Sequence, residues 1–209
     1  MNRATNLRER RMAATAAQVT SVALRLTAER GLSGFTVEEV CEQVDISRRT
    51  FFNYFASKDD AVLGITARKD DDALTDQFLA RGSASPGLSP TLLDELAELA
   101  VQRWERADIT AESIRDVLAV FEREPRLLTR FVEKMQRDEQ SDVELVEQRE
   151  GLAPGDLRAA AAVQVIRALI SAAVREFLTL SNSDSFAEIL ARRLAAAREL
   201  FAPNLERKS

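Results

Sequence analysis

Apolar residues recur at intervals of three and four through most of this chain, and this spacing constrains the fold more than any other feature. Beyond residue 90 there are three such stripes: Leu93, Leu96, Ala97, Ala100 and Trp104; Ile114, Val117, Leu118 and Phe121; and Leu128, Phe131, Val132 and Met135. Residues at these intervals lie on one face of an α-helix, so the pattern predicts amphipathic helices that pack together. Only 7 glycines and 5 prolines occur among 209 residues, too few for a fold built on tight turns between strands. We therefore expect an all-α protein.

Local signals indicate the ends of about nine helices. Gly31 can end the first helix in a left-handed conformation. Thr36 with Glu39, and Ser185 with Glu188, have the spacing of a capping box, in which each partner bonds the other's backbone N–H. The predicted helices include those from about Arg10 to Arg30, from Arg48 to Phe55, from Ser57 to about Leu79, and from about Leu157 to Leu180. The segment 80–90, rich in Gly, Ser and Pro, reads as a linker.

Composition excludes several classes of function. The chain has no histidine, so histidine-based catalytic pairs and histidine zinc sites are ruled out. Seven glycines leave no phosphate-cradling loop. The single cysteine, Cys41, cannot form an internal disulfide and is expected to be a small buried residue in a reducing, cytoplasmic setting. No unbroken apolar run reaches about 18 residues, so no membrane span is expected. We therefore predict neither a metal site nor a cofactor nor an enzyme.

The charge is distributed unevenly along the chain. The net charge is −5, but residues 1–58 carry nine basic and six acidic side chains, which leaves the remaining residues at −8. A basic N-terminal part on an acidic body suggests that one end meets a polyanion. An N-terminal arm with Arg3, Arg8, Arg10 and Arg11 could add to that attraction.

The segment "DISRRTFFNYFASKDDAV" (45–62) has the pattern of the second half of a helix-turn-helix. Two arginines, Arg48 and Arg49, open its helix, where side chains can reach base edges in the major groove. Phe51 and Phe55 are four residues apart and are expected to pack on the preceding helices. Asn53 and Tyr54 are expected on other sides, free to contact phosphates.

These residues closely resemble the DNA-binding domain of the TetR family of bacterial transcriptional repressors. The matching pieces are "AERGLSGFTVEEVCEQ" and "ISRRTFFNYFASKDD", within about residues 15–65. The positions that carry the family's pattern are Gly31, Thr36, Ser47, Thr50, Tyr54, Phe55, Ser57 and Lys58. The segment looks most like regulators of GC-rich actinobacteria. It departs from the family in its turn, where Val44-Asp45-Ile46 replaces the frequent Ala-Gly-Val, and at Phe52 and Arg49, which replace a phosphate-contacting tyrosine and a small residue.

The resemblance implies a ligand-responsive repressor that binds a palindromic operator as a homodimer and is released by a small effector. It implies a helix-turn-helix domain over 1–56, a connecting helix over 57–80, and a helical ligand-binding and dimerisation domain over 81–209. The residues expected to contact double-stranded DNA are Thr36, Ser47, Arg48, Arg49, Thr50, Asn53, Tyr54 and Lys58. Some similar regulators bind acyl-coenzyme A-like ligands.

Two further sets of residues are expected in the C-terminal part. The effector pocket is predicted from Trp104, Phe121, Phe131, Met135, Arg167 and Phe177. The dimer interface is predicted from Ile166, Leu169, Ile170, Ala173, Ile189, Leu190, Leu194 and Ala197, in the last two helices. Arg167 and Arg175 share a helix face and would either bind an anionic ligand or form salt bridges, for example with Glu176 or Glu188. The alternative function is a helical adaptor in which the N-terminal module packs against protein and reads no DNA sequence.

Overall fold

The computed structural model describes residues 3–66, 72–82, 87–107, 110–179 and 182–201, without the side chains of 3–10, 72, 111–113 and 201. Within these ranges the regular structure is entirely helical, which confirms the all-α prediction. The α-helices are α1 (Arg3–Arg30), α2 (Val37–Val44), α3 (Arg48–Tyr54), α4 (Lys58–Val62), α5 (Asp72–Ala80), α6 (Leu92–Ala107), α7 (Ala111–Arg123), α8 (Pro125–Glu150), α9 (Leu157–Phe177) and α10 (Phe186–Phe201). A 3-10 turn, Leu32–Gly34, joins α1 to α2.

The helix ends differ from the prediction in two places. The first helix begins at Arg3, seven residues before the predicted start. The predicted connecting helix from Ser57 to Leu79 is interrupted, because α4 ends at Val62 and Gly64 takes a φ of 62°. A left-handed residue cannot continue an α-helix, and glycine adopts that conformation without steric cost. The helix resumes at α5, beyond residues that lie outside the described part of the chain.

The chain forms two compact units. Unit 1 contains residues 1–75 and 103–140, and unit 2 contains residues 76–102 and 141–209. This division differs from the domain boundaries expected at 56/57 and 80/81, because residues 103–140 pack with the N-terminal part. The functional domain assignment itself remains a prediction.

The core of unit 1 is built around α1. Val19 and Leu26 of α1, Phe51 of α3 and Phe55 after it are completely buried, together with Val120 and Leu127 of α7 and α8. Burying a phenylalanine side chain contributes roughly 1.5–3 kcal/mol. The core phenylalanines therefore fix α3 on α1 and α2, and leave the opposite side of α3 exposed.

Polar contacts hold α7 and α8 to the N-terminal helices inside unit 1. Arg123 donates to the carbonyls of Ala28 and Glu29, at the C-terminal end of α1, where helical carbonyls have no partner in the helix. Glu124 accepts a hydrogen bond of 2.9 Å from the backbone N–H of Leu32. These contacts hold the chain where it leaves α1 for the helix-turn-helix.

A second contact in unit 1 joins α8 to α4. Arg130 donates to the buried carboxylate of Asp60 at 2.6 Å, and the hydroxyl of Ser57, the N-cap of α4, donates to the same carboxylate at 2.7 Å. The start of α4 is thereby fixed from two sides.

In unit 2, α9 packs against α10, and the larger apolar side chains of both helices fill the space between them. Ile166 and Ala173 of α9 are buried, as are Ile189, Leu190 and Leu194 of α10. These five residues, which were predicted at the dimer interface, are covered within a single chain, and a contact with a second copy remains a prediction. Leu169, Ile170 and Ala197, also predicted there, are half-buried.

Near the end of α8, a buried arginine connects several segments of unit 2. The Arg149 side chain is completely buried and contacts the carboxylates of Glu95 and Glu150. Its guanidinium also donates to the carbonyls of Phe78 and Arg81, and stacks 4.7 Å from the centre of the Phe78 ring. Buried charge is tolerated only when it is paired and hydrogen-bonded, and Arg149 meets both conditions.

Candidate nucleic-acid interface

The two helices of the predicted helix-turn-helix are each capped at their start by the residue that the sequence indicates. Thr36 and Glu39 exchange hydrogen bonds as a capping box at α2. The Ser47 hydroxyl accepts from the backbone N–H of Thr50 at 3.0 Å and lies 2.8 Å from the Thr50 hydroxyl. These caps specify where each helix begins, and therefore which residues of α3 face outward.

The turn between α2 and α3 depends on one residue in a left-handed conformation. Asp45 has φ 55° and ψ 48°, the only positive φ recorded for a non-glycine residue in the described part of the chain. The backbone N–H of Ile46 donates to the carbonyl of Cys41 at 3.0 Å, which closes the end of α2. Aspartate tolerates this conformation better than most residues, but at some cost.

Replacing Asp45 by glycine should therefore stabilise the protein. We expect Asp45→Gly to raise the free energy of unfolding by about 0.5–1 kcal/mol, because glycine removes the strain and the mutation removes a negative charge from a helix C-terminus. Asp45→Ala should instead lower it, because alanine keeps the Cβ and adopts the left-handed conformation less readily than aspartate does. Urea unfolding of the three proteins tests both signs. Equal midpoints for glycine and alanine would contradict the role given to the backbone conformation.

The two arginines at the start of α3 are both exposed but are held differently. Arg48 forms an ion pair of 2.7 Å with Glu38 of α2, and its guanidinium carbon lies 5.6 Å from the centre of the Phe52 ring. Arg49 has no hydrogen-bond or ion-pair partner among the residues that the structure describes. The arginines thus present one oriented and one unrestrained positive charge on the outer side of α3.

The other predicted contact residues of α3 fall into two groups. Asn53 is exposed and Thr50 half-exposed, as expected for residues that could reach a phosphate. Tyr54 is buried in the core beside Phe55, at 6.4 Å between ring centres, so the expectation that it lies on another side of the helix from the core is wrong. Tyr54 lies three residues after Phe51, so the two side chains share the buried face of α3.

Lys58, at the start of α4, already has partners within unit 1. Its ammonium group donates to the carbonyl of Phe35 at 2.7 Å and lies 4.4 Å from the centre of the Phe35 ring. The side chain therefore ties α4 to the loop before α2. A phosphate contact by Lys58 stays a prediction and would have to compete with this internal bond.

Cys41 lies behind this surface, in the core between α2 and its neighbours. Burial, aided by the negative charge of Glu38, raises the pKa of its thiol, and the positive charge of Arg48 acts in the opposite direction. The thiol is a packing group, as the sequence indicates.

The N-terminal arm contributes an exposed Arg11, whereas the side chains of Arg3, Arg8 and Arg10 lie outside the described residues.

The predicted effector-pocket residues are divided between the two units. Trp104, Phe121, Phe131 and Met135 belong to unit 1, and Arg167 and Phe177 to unit 2. Phe121 and Phe131 pair with ring centres 5.2 Å apart, and Phe121 packs against the core of unit 1. The pocket itself remains a prediction.

Arg175 on α9 contacts a neighbour on its own helix. Arg175 donates to the Ser171 hydroxyl at 2.9 Å. Glu176 accepts instead from Arg192 and Arg193 of α10, and these bonds lower the pKa of its carboxyl, the bond from Arg193 most. Glu188 caps α10 through Ser185, as predicted from the capping-box spacing.

Sequence reasoning missed Glu38 as part of the recognition surface. Its position in the first turn of α2 suggests only a favourable interaction with the helix dipole. The contact with Arg48 joins two helices, and the local pattern of neither helix contains it. The separation of ten residues between Glu38 and Arg48 indicates a contact only once the angle between α2 and α3 is known.

Among the described residues, no group of three or more acidic or cysteine side chains is placed to hold a metal ion.

Comparisons with known proteins agree with this geometry. The sequence pattern of the family "Bacterial regulatory proteins, tetR family" matches residues 19–63, from α1 to the end of α4. Over 205 residues the chain is 27% identical to the HTH-type transcriptional regulator TcmR of Streptomyces glaucescens. This alignment covers 95% of this chain and 88% of TcmR. A crystal structure of a protein from Mesorhizobium loti, assigned to the TetR family of transcriptional regulators, aligns with a TM-score of 0.51 at 19% identity. That alignment covers 91% of this chain and 96% of the other, and shows a shared fold.

Proposed function

We propose that this chain, whose residues 19–63 match the TetR family of bacterial regulatory proteins, acts in the cytoplasm as a homodimeric transcriptional repressor. It binds a palindromic operator and is released from it by a small effector. The matched family consists of regulatory proteins and the relative TcmR is named a transcriptional regulator, so the proposed activity is regulation and not catalysis. Repression is the family's usual mode of action.

The observation that carries the proposal is the outward-facing start of α3. Arg48, Arg49 and Asn53 are exposed on a helix whose other side is fixed by completely buried phenylalanines. A rigid helix that presents arginines at its N-terminal end is the geometry that reads base edges in the major groove. Arginine is suited to guanine, because its planar fork can bond two acceptors at once.

The proposal of a homodimer rests on α9. This helix is apolar enough and long enough to cross a bilayer by length and composition alone, which is weak evidence for a membrane span. Yet only 22% of its most apolar stretch is buried within the chain. An exposed apolar helix in a family of DNA-binding regulators is best explained by a second copy that covers it.

The exposed face of α9 has its own regular spacing. It consists of Leu157, Ala161, Gln164, Ala168, Ser171 and Arg175, at intervals of three and four. The exposed residues of α10 include Ala191, Ala195 and Ala196. Small side chains let two helices approach closely, so these faces are better suited to a helical interface than the larger residues first predicted, which are used within the chain.

A large charged residue on this face should separate the two copies. We expect Ala168→Arg to shift the protein from dimer to monomer, because burying an unpaired guanidinium in an apolar contact is strongly unfavourable. Sedimentation velocity at micromolar concentration measures the change. The matched control is Ala119→Arg, the same substitution at an exposed helical position of unit 1, which should remain dimeric. A dimeric Ala168→Arg, or a monomeric wild type, would contradict the assignment of this face.

The proposal of an effector is supported by apolar side chains on α7 and α8. Leu118, Leu128, Val132 and Met135 are exposed, which is unusual for so many large apolar residues on two adjacent helices. The Phe121–Phe131 pair lies on the same helices, and Phe121 packs on the core that holds α3. An apolar effector, such as one with an acyl chain, would therefore act on the helices that support the recognition surface. It can shift the DNA-binding equilibrium only by binding the two states with different affinity.

Selection of bound sequences from a random duplex pool tests the proposed function. We expect a palindrome with half-sites about one helical turn, or a multiple of one, apart. Fluorescence anisotropy at two salt concentrations should show a steep loss of affinity. The logarithm of the binding constant should fall with the logarithm of the salt concentration, with a slope of about −0.9 for each phosphate neutralised. The selected operator then serves to screen effectors by release. If no sequence is enriched and DNA binding is insensitive to salt, the adaptor function is the better explanation.

A further inference from the structure

We infer that Glu38 is a positioning residue for DNA recognition, which holds Arg48 against the Phe52 ring so that this arginine meets the bases already oriented. The inference rests on the proposed DNA-binding function and adds a division of roles to it. Arg48 supplies sequence discrimination, and Arg49 supplies mainly general attraction to the phosphate backbone.

The geometry forms a continuous support from the core to the surface. Phe51 is completely buried, and Phe52 lies edge-on to it, with ring centres 5.3 Å apart and an angle of 79° between the rings. The guanidinium of Arg48 lies over the Phe52 ring at 5.6 Å, and Glu38 binds the same group from α2 at 2.7 Å. Arg48 is therefore held from two sides although its side chain is 66% exposed.

Two features of this surface fit that role. Phe52 is 44% exposed, although a phenylalanine on a DNA-facing helix gains nothing from contact with water. Glu38 places a negative charge beside Arg48, which would attract DNA more strongly without it. Both residues are explained if orientation of Arg48 matters more than total positive charge, because a side chain already held in its binding conformation loses less entropy on binding.

The inference predicts opposite effects on specific and non-specific binding. Removing Glu38 lowers the negative charge near the phosphates, so affinity for random duplex should rise about threefold at low salt. Arg48 then loses its orientation, so the ratio of operator affinity to random-duplex affinity should fall about tenfold. A residue that acted through charge alone would leave this ratio unchanged.

The experiment compares Glu38→Ala with Glu42→Ala by anisotropy, on the selected operator and on a random duplex. Glu42 lies on the same helix, is exposed and has no recorded side-chain partner among the described residues, so it offers the same change of charge without the contact to Arg48. Glu42→Ala should raise both affinities equally. Glu38→Gln, which keeps a hydrogen-bond acceptor for Arg48, should retain more of the ratio than Glu38→Ala. Phe52→Leu should lower the ratio as Glu38→Ala does, because leucine keeps the apolar volume and removes the ring.

The possible outcomes are distinct. If wild type selects no sequence, the proposed function fails, and the inference fails with it. If wild type is selective and Glu38→Ala behaves like Glu42→Ala, the inference alone is overturned. A thermal unfolding midpoint within about 2 °C of wild type identifies variants that keep their fold. If Glu38→Ala does not keep its fold, Glu38→Gln and Phe52→Leu are compared with Glu42→Ala instead. The inference is then overturned if their ratio of operator affinity to random-duplex affinity equals that of Glu42→Ala.

Discussion

Replacing both Arg48 and Arg49 by alanine should abolish operator recognition without unfolding the protein. A bidentate contact of Arg48 with a base contributes about 1–3 kcal/mol, and a phosphate contact of Arg49 adds about 1 kcal/mol. We therefore expect a combined loss of about 2–4 kcal/mol, or ~30- to ~1000-fold in affinity. Stability should change little, because both side chains are on the surface and their only recorded ion pair, Arg48–Glu38, is exposed. Anisotropy titration on the selected operator measures the loss, and circular dichroism verifies the fold.

The control for this prediction removes the same charge elsewhere. Arg126 and Arg137 are exposed on α8, and a double change of both to alanine alters net charge equally. It should leave operator affinity within about threefold of wild type, because long-range charge effects are screened at physiological salt. If the two double variants lose affinity to the same extent, net charge and not α3 governs DNA binding. If Arg48→Ala/Arg49→Ala binds the operator like wild type, α3 is a packing element and the adaptor alternative gains support.

Replacing Arg149 by methionine should destabilise the protein by about 3–5 kcal/mol, because removing one partner of a buried ion pair leaves an uncompensated charge in the interior. The Glu150 side chain is completely buried, and it accepts hydrogen bonds from Arg149 and from the backbone N–H of Ser89. Loss of the guanidinium also leaves the backbone carbonyls of Phe78 and Arg81 without the hydrogen bonds that Arg149 donates to them. We expect a fall in the thermal midpoint on the order of 10 °C, measured by differential scanning calorimetry.

Two companion variants identify the cause. Arg81→Met breaks the exposed ion pair with Glu98 and should leave the midpoint nearly unchanged, because exposed ion pairs contribute little. Arg149→Met/Glu150→Gln should recover part of the stability lost in the single variant, because the buried carboxylate charge is removed together with its partner. A double variant less stable than Arg149→Met would show that packing around Arg149, and not its charge, accounts for the loss.

Much of the candidate DNA interface follows from local sequence, because caps and turns depend on neighbouring residues. Thr36, Ser47 and Ser57 cap the helices predicted from them, and Asp45 adopts the left-handed turn conformation that its side chain allows. Helix α8 begins at Pro125, and proline is favoured at the first position of a helix because its missing N–H needs no partner there. These signals act over three or four residues, so they can be read before any tertiary contact is known.

Two kinds of residue were harder to place from the sequence. Tyr54 was expected at the surface and is buried, although its distance of three residues from Phe51 puts both side chains on one face of α3. Ile166, Ile189 and Leu190 have the spacing of an interface, but spacing does not distinguish a contact within the chain from a contact with a second copy.

By itself, the sequence determined that this protein is all-α, where most of its helices begin, and that its N-terminal part carries a TetR-like helix-turn-helix with exposed arginines. Those features depend on helical periodicity, capping and local charge. Only the tertiary structure decided that Glu38 and Phe52 hold Arg48, that residues 103–140 pack with the N-terminal helices, and that Arg149 is buried among carboxylates. Each of these depends on how helices far apart in the chain approach one another, and the packing of whole faces determines that approach.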